Sequence, residues 1–191
     1  MRKQTVQMST KTIAYSAVLA AISVVLARLI VPMPNEFTRF SIEHVPLFMA
    51  GMFFGPIVGG CVGFTADFVG CLFSPFGFNP IYCVPPILYG VCGGLFRRFL
   101  AGNCSLPKLA VSFLPPVVLG SIGVQSCVLA YMNYGVENFR EGLIYFLSTR
   151  SIQFAVTMVI DVILIWLLIR SRMFHRIGVW PPRKRKEEQV K

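Results

Sequence analysis

The sequence predicts an all-α integral membrane protein, a six-transmembrane-helix bundle with both termini cytoplasmic. Three observations support this class: 55% of the 191 residues are apolar, the apolar residues form six runs, and basic residues cluster before the first run, between the fourth and fifth, and after the sixth. A soluble domain of this length would carry far more polar surface. We therefore interpret residues 1–191 as a single membrane domain, with a transmembrane bundle at about 12–170 and a basic cytoplasmic tail at 171–191.

Six apolar segments account for the bundle. A helix needs roughly 20 apolar residues to cross a hydrocarbon core of about 30 Å. Segments 1 to 6 lie at about 12–31, 42–54, 56–74, 80–98, 107–133 and 142–170. Segment 2 is too short to cross alone, and only the tight turn FFGP at 53–56 separates it from segment 3.

The basic residues predict the orientation. Lys and Arg accumulate in the cytoplasmic loops of membrane proteins. Fourteen of the 18 basic residues fall in three groups, before segment 1, between segments 4 and 5, and after segment 6: Arg2, Lys3, Lys11; Arg97, Arg98, Lys108; Arg170, Arg172, Arg176, Arg183, Lys184, Arg185, Lys186, Lys191. An even number of helices puts all three groups on one side, so the loops after segments 1, 3 and 5 face outward. The net charge of +10 thus favours anionic lipid headgroups over nucleic acid as the partner.

The motifs of several function classes are missing from the sequence. There is no Gly-x-x-x-x-Gly-Lys-Ser/Thr phosphate loop, no visible internal repeat and no nucleophile–base constellation. The six cysteines form no Cys-x-x-Cys pair, and no histidine stands at metal spacing. We therefore predict a protein that is not an enzyme, uses no cofactor or metal, and binds a ligand as part of a larger complex.

Four ionisable residues lie inside the apolar segments, and each is expected to have a role because its insertion into the membrane costs about 2.5 to 3.5 kcal/mol. They are Arg28, Asp67, Arg150 and Asp161. Arg28 is expected near the outer end of segment 1, and Arg150 about 12 Å into segment 6 from the outside. Two guanidinium groups in the outer half of the membrane suit recognition of a carboxylate. Alternatively, each arginine pairs with an acid such as Glu43 or Asp67, and the buried acids are structural.

Two segments carry polar stripes at helical spacing. The stripe on segment 6 consists of Arg150, Gln153, Thr157 and Asp161, on one face with Phe146. The stripe on segment 3 consists of small and polar residues: Gly60, Gly63, Asp67, Gly70 and Ser74. Such stripes permit close approach of another helix or of a flat ligand.

The two outer loops contain further candidate binding residues. PMPNEFTRFSIEH, after segment 1, offers Arg39, Glu43 and His44, and is a candidate lid. FSPFGFNPIY, after segment 3, places Phe76, Phe78 and Asn79 close together. Aromatic rings around a few polar groups suit a planar ligand with hydrogen-bonding edges. The alternative for these aromatic residues is an interfacial belt.

The pattern resembles a known family at three places: VVLAR at the end of segment 1, SIEHVPLFMAGMFFGPIVGGCVGFTADFVG across segments 2 and 3, and Phe-Asn-Pro at the start of segment 4. These motifs are similar to the S components, or substrate-binding subunits, of energy-coupling factor (ECF) vitamin transporters. Arg28 together with Asn79 and Pro80 points to the folate-specific, FolT-like branch. The resemblance covers residues 12 to about 170.

The resemblance implies a multi-pass protein of a bacterial cell membrane that captures folate from outside. It further implies association with a membrane coupling subunit and two cytosolic ATPase subunits, through a small-residue contact that matches Ala17 and Ala21. The neighbouring stripe Ser16, Ala20, Ser23 and Ala27 is the alternative contact face. The folate-binding residues that we expect are Arg28, Arg150, Asn79, Asp67, Phe78, Phe76, Gln153, Phe146, Glu43 and Arg39.

Two other functions stay open. The first is an S component for another vitamin or precursor, such as pantothenate, a queuosine precursor or thiamine. Thiamine would favour acids and an aromatic cage rather than two arginines. The second is a small intramembrane enzyme or channel, which would show a metal requirement or a ligand-independent conductance.

Overall fold

A computed structural model describes residues 10–28, 31–32, 39–40, 42–73, 79–102, 104–171 and 174. Eight α-helices lie within these ranges: α1 Thr10–Arg28, α2 His44–Phe54, α3 Pro56–Leu72, α4 Val84–Leu95, α5 Arg97–Gly102, α6 Leu106–Pro116, α7 Gln125–Tyr134 and α8 Phe139–Arg170. A 3₁₀ turn, Pro80–Cys83, leads into α4, and a π-helix, Val117–Val124, joins α6 to α7. The described part of the chain is therefore helical, as predicted, apart from one β-ladder.

The β-ladder was not predicted. It pairs β1, Val31–Pro32, with β2, Arg39–Phe40, in antiparallel register, so that Val31 lies opposite Phe40. It falls in the loop that the sequence suggested as a lid. Only these two backbone stretches of residues 29–41 are described.

Every apolar segment contains a helix, and three helical stretches are long and apolar enough to cross a membrane. These are Thr10–Ala27, Leu106–Tyr134 and Phe139–Arg170. The shorter apolar helices are His44–Phe54, Pro56–Leu72 and Pro80–Leu95. Large apolar side chains cover the outside of the bundle; Ile57, Leu119 and Ile144 are each more than 60% exposed. Such a surface is compatible with lipid and not with water.

The turn between α2 and α3 is as tight as the sequence predicted. The α2 helix ends at Phe54 and α3 begins at Pro56, so a single residue separates them. That residue, Gly55, has a φ of 101°, which a residue with a Cβ rarely adopts. Pro56 then starts α3 at a position where its missing N–H is not needed.

Glycines bring α2, α3 and α4 into backbone contact. A Cβ on Gly90 of α4 would collide with the carbonyl of Gly59 on α3, and a Cβ on Gly51 of α2 would collide with the carbonyl of Gly90. On the predicted stripe of α3, Gly63 packs against the backbone of Pro86. Gly70 has open space around it, so only part of that stripe serves helix packing.

The fifth segment is one continuous helical stretch of 29 residues, Leu106–Tyr134. Its middle, the π-helix Val117–Val124, follows Pro115 and Pro116 directly. Proline removes a backbone donor from the helix, and π-helical turns are one way to absorb the disruption; they are frequent at functional sites. This stretch packs against α4 and α8.

Candidate ligand-binding site

The start of α2 lies short of the C-terminal end of α1. The Ser23 hydroxyl of α1 donates to the carbonyl oxygen of Glu43 at 3.0 Å, and α1 continues for five residues beyond Ser23, to Arg28. Five residues extend a helix by about 7.5 Å. Glu43, directly before α2, and His44, its first residue, are therefore recessed by about this distance from the end of α1.

An aromatic stack forms at this depth. The imidazole ring of His44 lies on the Tyr89 ring, with centroids 4.1 Å apart and planes within 7°, and the Phe154 ring lies 6.4 Å away. The Tyr89 hydroxyl and the Ser121 hydroxyl are 2.9 Å apart and share a hydrogen bond. All of these side chains are buried. The stack thus joins α2, α4, the π-helix and α8.

Arg150 lies beside this stack. Its Nη1 donates to Gln125 Oε1 at 2.8 Å, and its guanidinium carbon is 5.8 Å from the centre of the Phe154 ring. Because α8 starts at Phe139, Arg150 is eleven residues along the helix, or about 16 Å, rather than the 12 Å expected from the sequence. The charge is half-buried and has polar and aromatic neighbours.

The polar stripe of segment 6 faces the interior of the bundle, as the spacing predicted. Phe146, Gln153, Thr157 and Asp161 are all buried. The Thr157 hydroxyl donates to the carbonyl oxygen of Gln153 at 3.0 Å. Asp161 is fully buried, and neither of its carboxylate oxygens has a hydrogen-bond partner among the described residues. It lies close enough to Glu43 for the two acids to interact electrostatically.

The 3₁₀ turn contacts Asp67 at one end and is capped by Asn79 at the other. The Asp67 carboxylate accepts a hydrogen bond from the Cys83 thiol at 2.7 Å. At the other end of the turn, Asn79 Oδ1 accepts from the backbone N–H of Ile81 at 3.1 Å, so this side chain caps the turn. Tyr82, in the same turn, lies within electrostatic range of Arg150. Asp67, which contacts Cys83 of this turn, and Arg150, which lies near Tyr82 of the same turn, therefore border the same region of the bundle.

The remaining predicted site residues are only partly visible. Glu43 is half-buried at the start of α2. The backbone of Arg28 ends α1 and that of Arg39 begins β2, but their side chains lie outside the described part, and so do Phe76 and Phe78 entirely. The structure thus places Glu43, Phe146, Arg150 and Gln153 around the buried face of α8.

Three polar residues of this region were missed in the sequence. Tyr89, Ser121 and Gln125 each stand alone in an apolar segment and belong to no motif. Two signals were available: Gln125 is a polar side chain within a span, and the pair Pro115–Pro116 interrupts a helix just before Ser121. Only the tertiary structure brings the three residues to Arg150 and His44.

The two candidate contact stripes on α1 differ in exposure. Ala17 and Ala21 are exposed on the bundle surface, whereas Ser16, Ala20 and Ser23 are buried. The buried stripe packs inside the bundle and is not accessible to another subunit. Ala17 and Ala21 remain accessible.

Known proteins share both the sequence pattern and the fold. A family model described as "ECF transporter, substrate-specific component" matches residues 11–169. A solved structure of FolT bound with folic acid is similar to this chain with a TM-score of 0.70 and 27% sequence identity. The similarity covers 85% of this chain and 95% of that one.

Two curated relatives match over shorter stretches. The folate transporter FolT of Clostridium novyi (strain NT) is 30% identical over 82 residues, which are 40% of this chain and 47% of the relative. An uncharacterized protein of Mycoplasma pneumoniae, the MG098 homolog, is 35% identical over 86 residues, which are 45% of this chain and 18% of that protein. The chain thus spans less than half the length of the curated relatives that it matches.

Proposed function

Because the chain belongs to the ECF transporter family of substrate-specific components, we propose that it captures folate from outside the cell and delivers it through a coupling subunit and two ATPases. Membership makes it a membrane transport protein rather than an enzyme. The folate-binding relative of the same fold supports the choice of ligand. The residues described above supply the chemistry that folate requires.

The observation that carries the proposal is the position of Arg150. A guanidinium group in the interior of a membrane bundle is costly, and this one has a neutral amide and an aromatic ring beside it. Folate ends in a glutamate with two carboxylates, which match a guanidinium group in charge and geometry. Arg28, at the outer end of α1, is the second arginine that we assign to these carboxylates.

The rest of folate is assigned by shape and polarity. The flat pterin and benzoyl rings suit the aromatic side chains that the sequence places around the site, Phe76, Phe78 and Phe146. The pterin edge carries N–H donors and ring nitrogens. Asp67, Asn79 and Gln153 are the polar residues that we assign to it, with Glu43 and Arg39 at the margin.

We assign six membrane crossings, with both termini on the cytoplasmic side. The 11 residues of α2 extend about 16 Å, about half of the hydrocarbon core, so this crossing is the shortest of the six. The basic groups at the ends of segments 1, 4 and 6 support the orientation. The basic tail at 171–191, of which only Ser171 and Phe174 are described, would then lie at the inner membrane surface.

The coupling subunit is assigned to the exposed stripe of α1. Small residues four apart allow two helices to approach closely in lipid, and Ala17 and Ala21 are such a pair on an accessible surface. We therefore place the contact with the coupling subunit there. Arg28 falls on nearly the same side of α1 as Ala17 and Ala21, so ligand binding and subunit contact are separated along the helix, by about 10 Å from Ala21 to Arg28, rather than by face.

The experiment that tests the function is identification of the bound ligand. The chain is purified alone, and any co-purifying molecule is identified by its absorbance and mass; the emptied protein is then titrated with folate, pantothenate and thiamine. We expect folate to bind with the highest affinity. Preferential binding of pantothenate or thiamine would refute the assignment of the ligand. ATP-driven uptake by this chain reconstituted alone in liposomes would refute its role as a substrate-binding subunit.

A further inference from the structure

The contact between Cys83 and Asp67 has no role in the function proposed so far. The Cys83 thiol is 3% exposed and donates to Asp67 Oδ2 at 2.7 Å. A second thiol, that of Cys71, lies 3.9 Å from the same oxygen. One carboxylate oxygen of a half-buried acid is thus flanked by two sulfhydryl donors from different parts of the chain.

A carboxylate in the interior of a membrane protein needs hydrogen-bond donors, because water does not solvate it there. The thiols supply weak donors without adding a positive charge. A fixed arginine or lysine would neutralise the acid and make it unattractive to a ligand that carries N–H donors. Thiol donors orient the carboxylate and leave its negative charge uncompensated.

The Cys83 and Cys71 thiols leave acceptor positions of Asp67 to a ligand. An ionised carboxylate has about four acceptor positions, and both thiols contact a single oxygen, Oδ2. The turn that carries Cys83 is fixed at its other end by the Asn79 cap. The Asn79 cap holds the turn and the turn carries the thiol, so a shift of Cys83 would change the orientation of the Asp67 carboxylate.

We propose that Cys83 is a positioning residue of the ligand site: its thiol holds the Asp67 carboxylate so that the other lone pairs accept N–H groups from the heteroaromatic edge of the ligand. This inference rests on the proposed function, since it takes folate as the ligand. A carboxylate that is already oriented loses less conformational entropy when the ligand binds. The competing explanation is that Cys83 is only a small buried residue that fills space.

Three variants separate positioning from packing. Cys83→Ala removes the donor and is expected to lower folate affinity roughly three- to tenfold, the effect of one hydrogen bond. Cys83→Ser keeps an O–H donor and should retain affinity within about twofold of wild type. Cys92→Ala is the matched control, because Cys92 is a buried cysteine nine residues further along the chain; it should also stay within about twofold.

The effect of Cys83→Ala must depend on Asp67. In an Asp67→Asn background, Cys83→Ala should cause no further loss of folate affinity, because the two residues act through one contact. A folate analogue with a methyl group in place of the 2-amino group offers fewer N–H donors, so Cys83→Ala should weaken its binding less. Independent, additive losses, or equal losses for both ligands, would show that Cys83 only packs and would overturn the proposal.

Infrared spectroscopy tests the hydrogen bond without any ligand. The S–H stretching band lies in a region with little other protein absorption, and hydrogen bonding lowers its frequency. The Cys83 band, assigned by its loss in Cys83→Ser, should move to higher frequency in Asp67→Asn. An unchanged band would overturn the proposal, and this measurement stays decisive if Cys83→Ala fails to fold.

The failure of this inference can be told apart from failure of the proposed function. If wild-type protein binds folate and Cys83→Ala binds it equally well, only the positioning role is overturned. If wild-type protein does not bind folate, the proposed function is overturned, and the positioning role for that ligand with it.

Discussion

Replacing Arg150 by alanine tests the assignment of the glutamate tail most directly. The guanidinium group donates to Gln125 at 2.8 Å and lies 5.8 Å from the centre of the Phe154 ring, so it is held in place before a ligand arrives. Truncation of one side of a partly buried charged contact costs about 2 to 5 kcal/mol of binding. We therefore expect Arg150→Ala to lower folate affinity by at least about tenfold.

The assay compares two ligands on the same folded protein. Pteroate is folate without its glutamate, so it has already lost the contact with Arg150. Titration of wild type and Arg150→Ala with both ligands is a double-mutant cycle between protein and ligand. We expect the affinity for pteroate to fall much less than that for folate.

Two further variants distinguish the loss of one specific ligand contact from general damage to the fold. Arg140, an exposed arginine on the same helix, is the matched control, and Arg140→Ala should change folate affinity by less than about twofold. Gln125→Leu keeps the charge of Arg150 and removes only its amide partner, so it should cost less than Arg150→Ala. Parallel losses of folate and pteroate affinity in Arg150→Ala would refute the claim that this arginine binds the carboxylates.

Three other substitutions test the subunit contact and the packing. Ala21→Trp should keep folate affinity within about twofold but lower uptake by the complete transporter, because bulk on this exposed face prevents close helix approach; equal loss of binding and uptake would place Ala21 in the fold instead. Gly90→Leu should strongly lower the melting temperature, since a side chain there collides with Gly59. Gly70→Leu is the control and should change the melting temperature little, because a side chain there enters open space. A wild-type melting temperature for Gly90→Leu would contradict the described packing. Asp161→Asn should raise the melting temperature by about 2 to 4 °C, because it replaces a buried acid, which has no hydrogen-bond partner among the described residues, by a neutral amide. A lower melting temperature would reveal a stabilising partner of the carboxyl group.

The helices were predictable because apolar length and periodicity act locally. The spacing of Gln153, Thr157 and Asp161 predicted that they share one face of α8, since a periodic pattern defines a face whatever packs against it, and the structure shows that this face is buried. The tight turn at Gly55–Pro56 was also predicted, because glycine and proline have strong backbone preferences. The short β-ladder could not be read from sequence, since each strand has only two residues.

The sequence did not predict which element packs against each helix face. The stripe of small and polar residues on α3 could serve a helix or a ligand, and only the structure shows that Gly60 and Gly63 pack on α4. Tyr89 and Ser121 read as ordinary core residues, because their hydrogen bond links positions 32 residues apart. Asn79 had a local explanation that the sequence analysis did not use: an Asn directly before a Pro is a typical start of a helical turn.

The backbone contacts among α2, α3 and α4 predict which helices a bound ligand would make less mobile. These three helices pack most closely with one another, while α7 packs on α8, and the two halves of the candidate site belong to different groups. Asp67 and Cys83 belong to the glycine-packed group, whereas Arg150 and Gln125 belong to the other. A ligand that contacts both groups would link them, so folate should slow amide hydrogen exchange in α4 and α8 together, including at turns that touch no ligand.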